Sequence, residues 1–378
     1  MLSKRKTNNI LVFTFPHLGH INSIIPFISE LCDSGNYVSL LVLEKYATYF
    51  RNIDCNLLFY DEEVEKFAVQ NSDIELYYFL DDAEYLYNIF CEYYNAYERI
   101  AVRLEVELNI CQWSMIYVDT FSIWGNIFAV KNHYTFIALE SFFYENKKIH
   151  NCLLEHYFCE IKKYNEREVC SKLMRSDMQF LVAQRKIMRH LGFTREEINN
   201  VYCPQKTIVM IDRQLQPYSE YCDKNVIFWG NSVSIDKSPI RNKMGDIKEK
   251  IVLVTLGRER GKQHIDKIQS IVEIFRPLSN YKVTITSLEA NNIYTYGCEH
   301  ISIFPYVNQQ DILKIADIMI THGGVTGVKE ALHFGVPMIL LPDSVQQFAI
   351  SKRVEELGKG KIIELDKLAE VLMQIKVY

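Results

Sequence analysis

The chain has 378 residues, of which 48% are apolar and 24% charged, and this balance excludes a disordered or fibrous protein. The 42 Lys and Arg are outnumbered by 47 Asp and Glu without a dense basic patch, so we do not expect a nucleic-acid binder. The ten cysteines form no C-x-x-C pair, and no apolar run approaches the ~20 residues of a membrane-spanning helix. We therefore expect free thiols in a cytoplasmic protein, and the length favours two domains.

Short apolar runs rich in β-branched and aromatic residues recur along the chain and predict buried strands of parallel sheets. The first run, Ile10–Phe15, is followed by apolar residues at helical spacing, with Pro26 near the predicted first turn and Gly35 at the end. The later predicted strands are Tyr37–Leu43, Ser114–Val118, Lys206–Ile211, Ile251–Leu256, Lys282–Ser287, Asp317–Thr321, Val336–Leu341 and Lys361–Leu365. Strands that alternate with helices predict right-handed crossovers.

A polar stretch with proline and glycine lies between Ile211 and Ile251 and predicts a domain junction. The expected fold class is α/β, with two Rossmann-like, doubly wound parallel-sheet domains that face each other across a cleft. We assign residues 1–215 to an N-terminal domain, 216–249 to a linker and 250–378 to a C-terminal domain. Ligands of such sheets bind beyond the C-terminal ends of the strands.

The segment from Leu57 to Cys111 is rich in acidic and aromatic residues, among them Tyr85 and Phe90. Two interpretations stay open. The rings could be helix faces that pack on the first sheet, or they could form a wall of flat, partly polar groups that holds a large apolar small molecule.

The loop from Phe15 to Asn22 joins the first strand to its helix and contains two histidines. Gly19 allows the backbone to pass tightly, and His20 then stands beside a helix N-terminus. The partial positive charge there disfavours the imidazolium, and a neutral imidazole is what a general base requires. A structural histidine is the alternative interpretation, and His17 is the weaker candidate for a base.

Asp119 directly follows the predicted strand that ends at Val118. A carboxylate in this position can orient a nearby histidine and stabilise its protonated form, as in a Ser-His-Asp arrangement without the serine. The alternative role is an N-cap for the next helix.

A glycine-rich turn follows the strand that ends at Thr321. The turn and the helix start read His322, Gly323, Gly324, Val325, Thr326 and Gly327. Backbone N–H groups and the helix dipole predict an anion site there. His322 and Thr326 can add hydrogen bonds to a diphosphate, Glu330 can accept from ribose hydroxyls, and Tyr306 can stack on a base. The turn lacks G-K-[ST], so phosphoryl transfer is not expected.

The order and spacing of these motifs resemble those of GT-B fold, family 1 glycosyltransferases, close to the bacterial macrolide glycosyltransferases and plant UDP-glycosyltransferases. The resemblance spans most of the chain and is most specific between Tyr306 and Gln347. It implies inverting transfer of a sugar from a UDP- or dTDP-linked donor to a hydroxyl of a hydrophobic small molecule. His20, held by Asp119, would deprotonate the acceptor, and the nucleoside diphosphate would leave toward His322. No metal or other cofactor is implied.

The motifs and the resemblance give the other expected contacts of the two substrates, except that Tyr85 and Phe90 are taken from the aromatic-rich segment. The donor-binding residues are Gly257, Arg258, Tyr306, Gln309, His322, Gly323, Gly324, Thr326, Gly327, Glu330, Gln346 and Gln347. The acceptor-binding residues are His17, Asn22, Tyr85 and Phe90. The expected partners are these two small molecules, in a monomer or a homodimer, and peripheral contact with a membrane stays open.

Several positions depart from the family pattern. Gly327 removes a hydroxyl, Arg258 replaces a Ser or Thr, and Gln346 replaces the Asp that commonly holds the sugar, so the donor need not be glucose. Only 31 residues follow Gln347, so we expect shortened terminal helices. Two other functions therefore stay open: a catalytically silent protein that binds a nucleotide sugar or a partner enzyme, and an epimerase that acts on the nucleotide sugar.

Overall fold

A computed structural model describes residues 8–60, 112–156, 192–230, 249–257 and 261–374, and the single positions 64, 108, 182, 185, 186, 188 and 189. The chain divides into two compact units, Met1–Ser232 (unit 1) and Val233–Tyr378 (unit 2). Each unit is described here by itself.

Unit 1 is built on a parallel sheet of seven strands in the order β3-β2-β1-β4-β5-β6-β7. The strands are β1 (Asn9–Phe13), β2 (Tyr37–Val42), β3 (Asn56–Phe59), β4 (Met115–Asp119), β5 (Phe136–Glu140), β6 (Lys206–Val209) and β7 (Val226–Phe228). The α-helices described are α1 (Leu18–Asp33), α2 (Ile123–Lys131), α3 (Lys147–His156) and α4 (Arg195–Val201). The strand order reverses between β1 and β4, which is where such sheets bind ligands.

Alternate residues of β1 pack on opposite faces of the sheet. Val12 lies in a cluster with Ile21 and Ile24 of α1, whereas Phe13 lies in a second cluster with Trp124 of α2. A strand covered by helices on both faces must be apolar on both, which explains the continuous apolar run seen in the sequence. The two clusters thus cover both faces of β1 and of its neighbour β4.

Unit 2 is built on a parallel sheet of six strands in the order β10-β9-β8-β11-β12-β13. The strands are β8 (Lys250–Thr255), β9 (Tyr281–Thr286), β10 (Ile301–Phe304), β11 (Ile318–Thr321), β12 (Met338–Leu340) and β13 (Gly360–Ile362). The helices are α5 (Lys262–Phe275), α6 (Gln309–Leu313), α7 (Val325–His333), α8 (Val345–Glu356) and α9 (Leu368–Gln374). Here the order reverses between β8 and β11, which pair in register from Ile318 with Val252 to Thr321 with Thr255.

Every strand predicted from the sequence forms, and the prediction of two doubly wound parallel α/β domains is confirmed. The prediction missed β3, β5, β7 and β10. Three of these strands have only three or four residues and are partly exposed, so the apolar runs that would mark them are short. Strand β7 falls within the stretch predicted as a linker but pairs with β6, so residues up to Phe228 continue the sheet of unit 1.

Helix α1 begins at Leu18, earlier than its apolar spacing predicts. His17 is its N-cap and accepts a hydrogen bond from the Gly19 N–H at 3.3 Å. Pro26 therefore lies inside the helix and not in its first turn, and it removes the N–H that would donate to the Asn22 carbonyl. The earlier start places His20 in the first turn, at the end of β1.

Candidate active site

The structure brings together the histidine and the carboxylate predicted from the sequence. His20 Nδ1 lies 2.8 Å from Asp119 Oδ2, and both side chains are buried. The contact exists because β1 and β4 are neighbours in the parallel sheet, so the turn after β1 and the last residue of β4 meet at one edge.

Asp119 is fully buried and accepts three hydrogen bonds. Besides His20, Oδ2 accepts from the Ser141 hydroxyl at 3.0 Å, and Oδ1 accepts from the Phe121 N–H at 3.0 Å. The alternative role of Asp119 as an N-cap is not what the structure shows, because Ser122 occupies the N-cap of α2. The carboxylate is therefore oriented toward the imidazole by its own neighbours.

The pair determines which nitrogen of His20 can act as a base. A carboxylate only accepts hydrogen bonds, so Nδ1 carries the proton that lies between His20 and Asp119. In the neutral ring Nε2 then holds the lone pair. Among the residues that the structure describes, Nε2 has no hydrogen-bond partner, so this nitrogen is available to accept a proton from a ligand.

Three phenylalanine rings surround His20. The ring centroids of Phe15, Phe121 and Phe142 lie 5.0, 4.9 and 5.0 Å from that of the imidazole. His17 adds a fourth ring at 5.9 Å, edge-on, and burial together with the neighbouring His20 lowers the pKa of His17. The imidazole of His20 thus lies in an apolar setting, of the kind that lines binding sites for apolar small molecules.

The other predicted acceptor residues are less informative. Asn22 lies in the second turn of α1 and is half-buried. Tyr85 and Phe90 fall outside the described residues, so their role stays a prediction.

Sequence reasoning missed the residues that hold the pair in place. Ser141 lies next to Asp119, and Ser23 Oγ lies 2.9 Å from Ser141 Oγ and 2.7 Å from the His20 carbonyl oxygen. Glu140 is buried at the end of β5, where burial and the nearby Asp119 raise its pKa to about 8. The apolar run Phe136–Leu139 could have predicted strand β5. The end of that strand, Glu140, then lies at the same edge of the sheet as Asp119 of the neighbouring strand β4.

In unit 2 the predicted glycine turn connects β11 to α7. Gly323 has φ +89°, and a Cβ there would lie 2.2 Å from Ser351 Oγ and 2.8 Å from the Gln347 carbonyl oxygen, so only glycine fits. Gly324 is the N-cap of α7 and places no side chain on the N–H groups of the first turn. Those donors are open to an anion, as an anion site requires.

His322 lies between two close stretches of backbone. A Cβ at Gly257, which follows β8, would be 3.3 Å from His322 Nε2, and one at Gly324 would be 2.8 Å from it. Nδ1 is 3.4 Å from the Thr255 carbonyl oxygen, and burial lowers the pKa of the ring. Glycines on both sides leave room for the ring, and an anion beside it would favour the charged form.

Glu330, the residue predicted to contact a ribose, is hydrogen-bonded to other side chains of the protein. Glu330 Oε2 accepts from Gln309 Nε2 at 2.5 Å, and Oε1 accepts from Gln310 Nε2 at 3.0 Å. Burial raises the pKa of Glu330. Tyr306 is 76% exposed and Thr326 is exposed in the first turn of α7, so both are accessible to a ligand.

The residues predicted to hold the sugar lie at the start of α8. Gln347 Oε1 accepts from the Asp343 N–H at 2.8 Å, while its own N–H donates to the N-cap hydroxyl of Ser344 at 3.3 Å. Gln346 is half-buried. Arg258 falls outside the described residues.

Two further findings concern the described residues only. They contain no group of three or more His, Cys, Asp or Glu side chains arranged to hold a metal ion. No helix among them is long and apolar enough to cross a membrane. The expectation that the protein works without a metal stays a prediction.

Comparison with known proteins points to glycosyltransferases. Residues 255–376 match the glycosyltransferase family 28 C-terminal domain. The uncharacterized UDP-glucosyltransferase YojK of Bacillus subtilis is 22% identical over 375 residues, which cover 97% of this chain and 87% of YojK.

Two solved structures share the fold. The glycosyltransferase of kitacinnamycin superposes with a TM-score of 0.72 at 18% identity, covering 97% of this chain and 89% of that one. Spinosyn rhamnosyltransferase SpnG, in complex with thymidine diphosphate, gives 0.62 at 11% identity, covering 97% and 88%.

Two parallel α/β sheets with these sites at their switch points define the GT-B class of fold. The chain has this fold and is a glycosyltransferase, and residues 255–376 of unit 2 match the family 28 C-terminal domain.

Proposed function

We propose that this glycosyltransferase transfers a sugar, with inversion at the anomeric carbon, from a nucleoside-diphosphate sugar to a hydroxyl of a hydrophobic small molecule. The observation that carries the proposal is the 2.8 Å hydrogen bond between His20 and Asp119, which leaves Nε2 as the accepting nitrogen. His20 is the general base and Asp119 the residue that orients it.

The chemical step follows from this arrangement. His20 Nε2 removes the proton of the acceptor hydroxyl as that oxygen attacks the anomeric carbon. The bond from this carbon to the diphosphate oxygen breaks, and the nucleoside diphosphate departs with the electron pair. Asp119 stabilises the imidazolium that forms. General-base assistance of this kind contributes about 10²–10⁴-fold, and positioning and charge stabilisation supply the rest.

The donor is assigned to unit 2. The open N–H groups of α7, together with His322, suit the two phosphates, and exposed Tyr306 suits the base. YojK is named a UDP-glucosyltransferase, and SpnG was solved with thymidine diphosphate, so UDP and dTDP sugars are the donors to test.

The acceptor is assigned to the surroundings of His20. Phe121 and Phe142 present ring edges to the imidazole, and flat apolar molecules pack well against such rings. SpnG was also solved with the spinosyn aglycone. A polyketide or phenolic hydroxyl is therefore the class of acceptor that we propose.

The test is to incubate the full chain with UDP- and dTDP-sugars and a panel of polyketide and phenolic aglycones. Product is followed by mass spectrometry and nucleoside diphosphate release by a coupled assay. We expect a glycosylated product with at least one pair and its loss in His20→Ala. Nucleotide binding without turnover for any pair, or an equally active His20→Ala, would refute the proposed role of His20.

A further inference from the structure

We infer that Glu140 is a positioning residue for the base: its carboxyl group joins the two loops that enclose His20. The inference deepens the proposed function and rests on it, because it concerns the same imidazole. Neither the motifs nor the resemblance assign any role to Glu140.

The first argument is geometric. Glu140 Oε2 accepts from the Thr120 hydroxyl at 2.9 Å, and Oε1 accepts from the Phe142 N–H at 3.2 Å. Thr120 lies in the loop after β4 and Phe142 in the loop after β5. One carboxyl group therefore bridges the two loops.

Both bridged loops carry rings against the base. Phe121 follows Thr120 directly, and its ring centroid is 4.9 Å from that of His20, while the Phe142 ring is 5.0 Å away on the other loop. Both rings meet the imidazole edge-on, at 73° and 80°. Removing the bridge lets the rings move independently, so the space in which an acceptor hydroxyl meets Nε2 loses its shape.

The same bridge supports the carboxylate that orients His20. Ser141 lies between Glu140 and Phe142, and its hydroxyl donates to Asp119 Oδ2 at 3.0 Å. The Phe121 N–H donates to Asp119 Oδ1. Two of the three hydrogen bonds to Asp119 thus come from the loops that Glu140 ties together.

The charge of Glu140 adds a second effect. Burial, Asp119 on β4 and Glu145 beyond β5 all raise its pKa, to about 8, so the group is neutral at pH 7. His20 on α1 faces it through Asp119. When Glu140 ionises, a new negative charge appears near the Asp119–His20 pair, and the electrostatic environment of the imidazole changes.

Two variants separate the bridge from the charge. Glu140→Gln keeps the length and both contacts, with its amide oxygen toward Phe142 and its amide N–H toward Thr120, but it does not ionise. Glu140→Ala removes both contacts. Thr120→Val removes one contact with little change in shape, and it serves if Glu140→Ala does not fold.

The effect of the Glu140 charge on His20 can be measured without an acceptor. The full chain is labelled with ¹³C at histidine Cε1, and the His20 signal is assigned by its loss in His20→Ala. We expect the wild-type signal to show an additional inflection near pH 8 and the Glu140→Gln signal to lack it. An identical inflection in Glu140→Gln would overturn the electrostatic part of the inference.

The bridge is tested by turnover with UDP-glucose and the flavonol quercetin as a probe acceptor, or with the pair found active in the screen. We expect Glu140→Ala to lower kcat by about 10- to 100-fold, with the KM for the donor little changed, and Glu140→Gln to restore most of the rate at pH 7. A wild-type kcat in Glu140→Ala would overturn the bridge. If no pair is turned over, the proposed function fails, whereas the His20 titration still decides the link to Glu140.

Discussion

In both units the candidate functional residues lie where the strand order of the sheet reverses. The two sites differ in the groups that form them. In unit 1 the site consists of buried ionisable side chains: His20, Asp119 and Glu140. In unit 2 it consists mainly of backbone, with Gly257, Gly323 and Gly324 where side chains would stand. We therefore expect the site of unit 1 to depend on the protonation of its side chains, and the site of unit 2 to depend on the space that its glycines leave free.

The histidines show the difference most clearly. His20 is paired with a carboxylate at 2.8 Å, whereas the partner of the His322 ring among the described residues is a backbone carbonyl oxygen at 3.4 Å, and burial lowers the pKa of His322. A carboxylate partner supports an imidazole that must take up a proton during the reaction. Without one, His322 is suited to contact a group that brings its own negative charge. Substitutions that change charge should therefore impair the site of unit 1, and substitutions that add side-chain volume should impair the site of unit 2.

The largest effect is expected from His20→Ala. Loss of the base should lower kcat by about 10²–10⁴-fold, because no other group takes the proton at that position. The Kd of UDP, measured by titration calorimetry, should not change, since the donor is assigned to unit 2. His17→Ala is the comparison: it removes the N-cap of α1, which costs about 1 kcal/mol of stability, and its effect on kcat should be smaller. The reverse order of the two effects would assign the base to His17.

The next largest effect is expected from Asp119→Asn, which should lower kcat by about 10³-fold. If the asparagine oxygen keeps the Phe121 N–H, its amide N–H faces His20 Nδ1 and moves the ring proton to Nε2. The base then has no lone pair where the acceptor arrives. Full activity of Asp119→Asn across the pH range would contradict an orienting role. Asp119→Ala is the harsher control, because it also leaves the Ser141 hydroxyl without its acceptor.

The sequence predicts the strands that are buried on both faces, because these strands are uniformly apolar. It predicts the glycine turn because Gly323 leaves a recognisable pattern between a strand and a helix. It also predicts His20 and Asp119, since His20 lies in the loop after one predicted strand and Asp119 follows another, and a parallel sheet brings the ends of such strands together. These features are local, and each can be read from a short segment.

The supporting contacts could not be predicted in the same way. Glu140 and Ser141 act only because β5 is the neighbour of β4, and this neighbour relation is a property of the whole sheet. The engagement of Glu330 by Gln309 and Gln310 likewise depends on how α6 packs on α7. Residues whose role is to position other side chains leave no recognisable pattern in the sequence around them.

Glu140→Gln tests the charge sensitivity of unit 1 through stability. The pKa of Glu140 is about 8 in the folded protein and 4.5 ordinarily, so the folded state holds an extra proton between these values. The wild-type free energy of unfolding should therefore fall as pH rises from 5 to 9, by on the order of 4 kcal/mol. Glu140→Gln should lack this contribution to the fall, so its melting temperature relative to wild type should rise with pH.

Exposed Glu273 provides the control for that experiment. It is bonded to Arg276, which holds its pKa at about 2, so its ionised form is the favoured one. Glu273→Gln should give no gain in stability at pH 9. A gain equal to that of Glu140→Gln would mean that the effect reflects net charge and not the buried site.

Gly323→Ala tests the volume sensitivity of unit 2. The added methyl group would collide with Ser351 Oγ and the Gln347 carbonyl oxygen, at a backbone φ of +89°. The matched control is Gly335→Ala, at φ +67° with nothing within 4 Å of the added carbon. Chemical unfolding should give a loss of about 1 kcal/mol for Gly335→Ala, from backbone strain alone, and about 3 kcal/mol for Gly323→Ala. Equal losses would show that crowding at the turn is unimportant.

The smallest expected effect is that of Gly327→Ser, which restores the hydroxyl that the family pattern carries. Its Cβ would lie 3.2 Å from Met319 Cε and 3.3 Å from Gln309 Nε2, and Gln309 holds Glu330. We expect the crowding to outweigh the new hydroxyl and to weaken UDP binding by about fivefold, or about 1 kcal/mol. Gly327→Ala separates the two contributions, because it adds the same carbon without the oxygen. If Gly327→Ala weakens binding and Gly327→Ser tightens it beyond wild type, then the hydroxyl outweighs the crowding, and the site of unit 2 depends on polar side chains as that of unit 1 does.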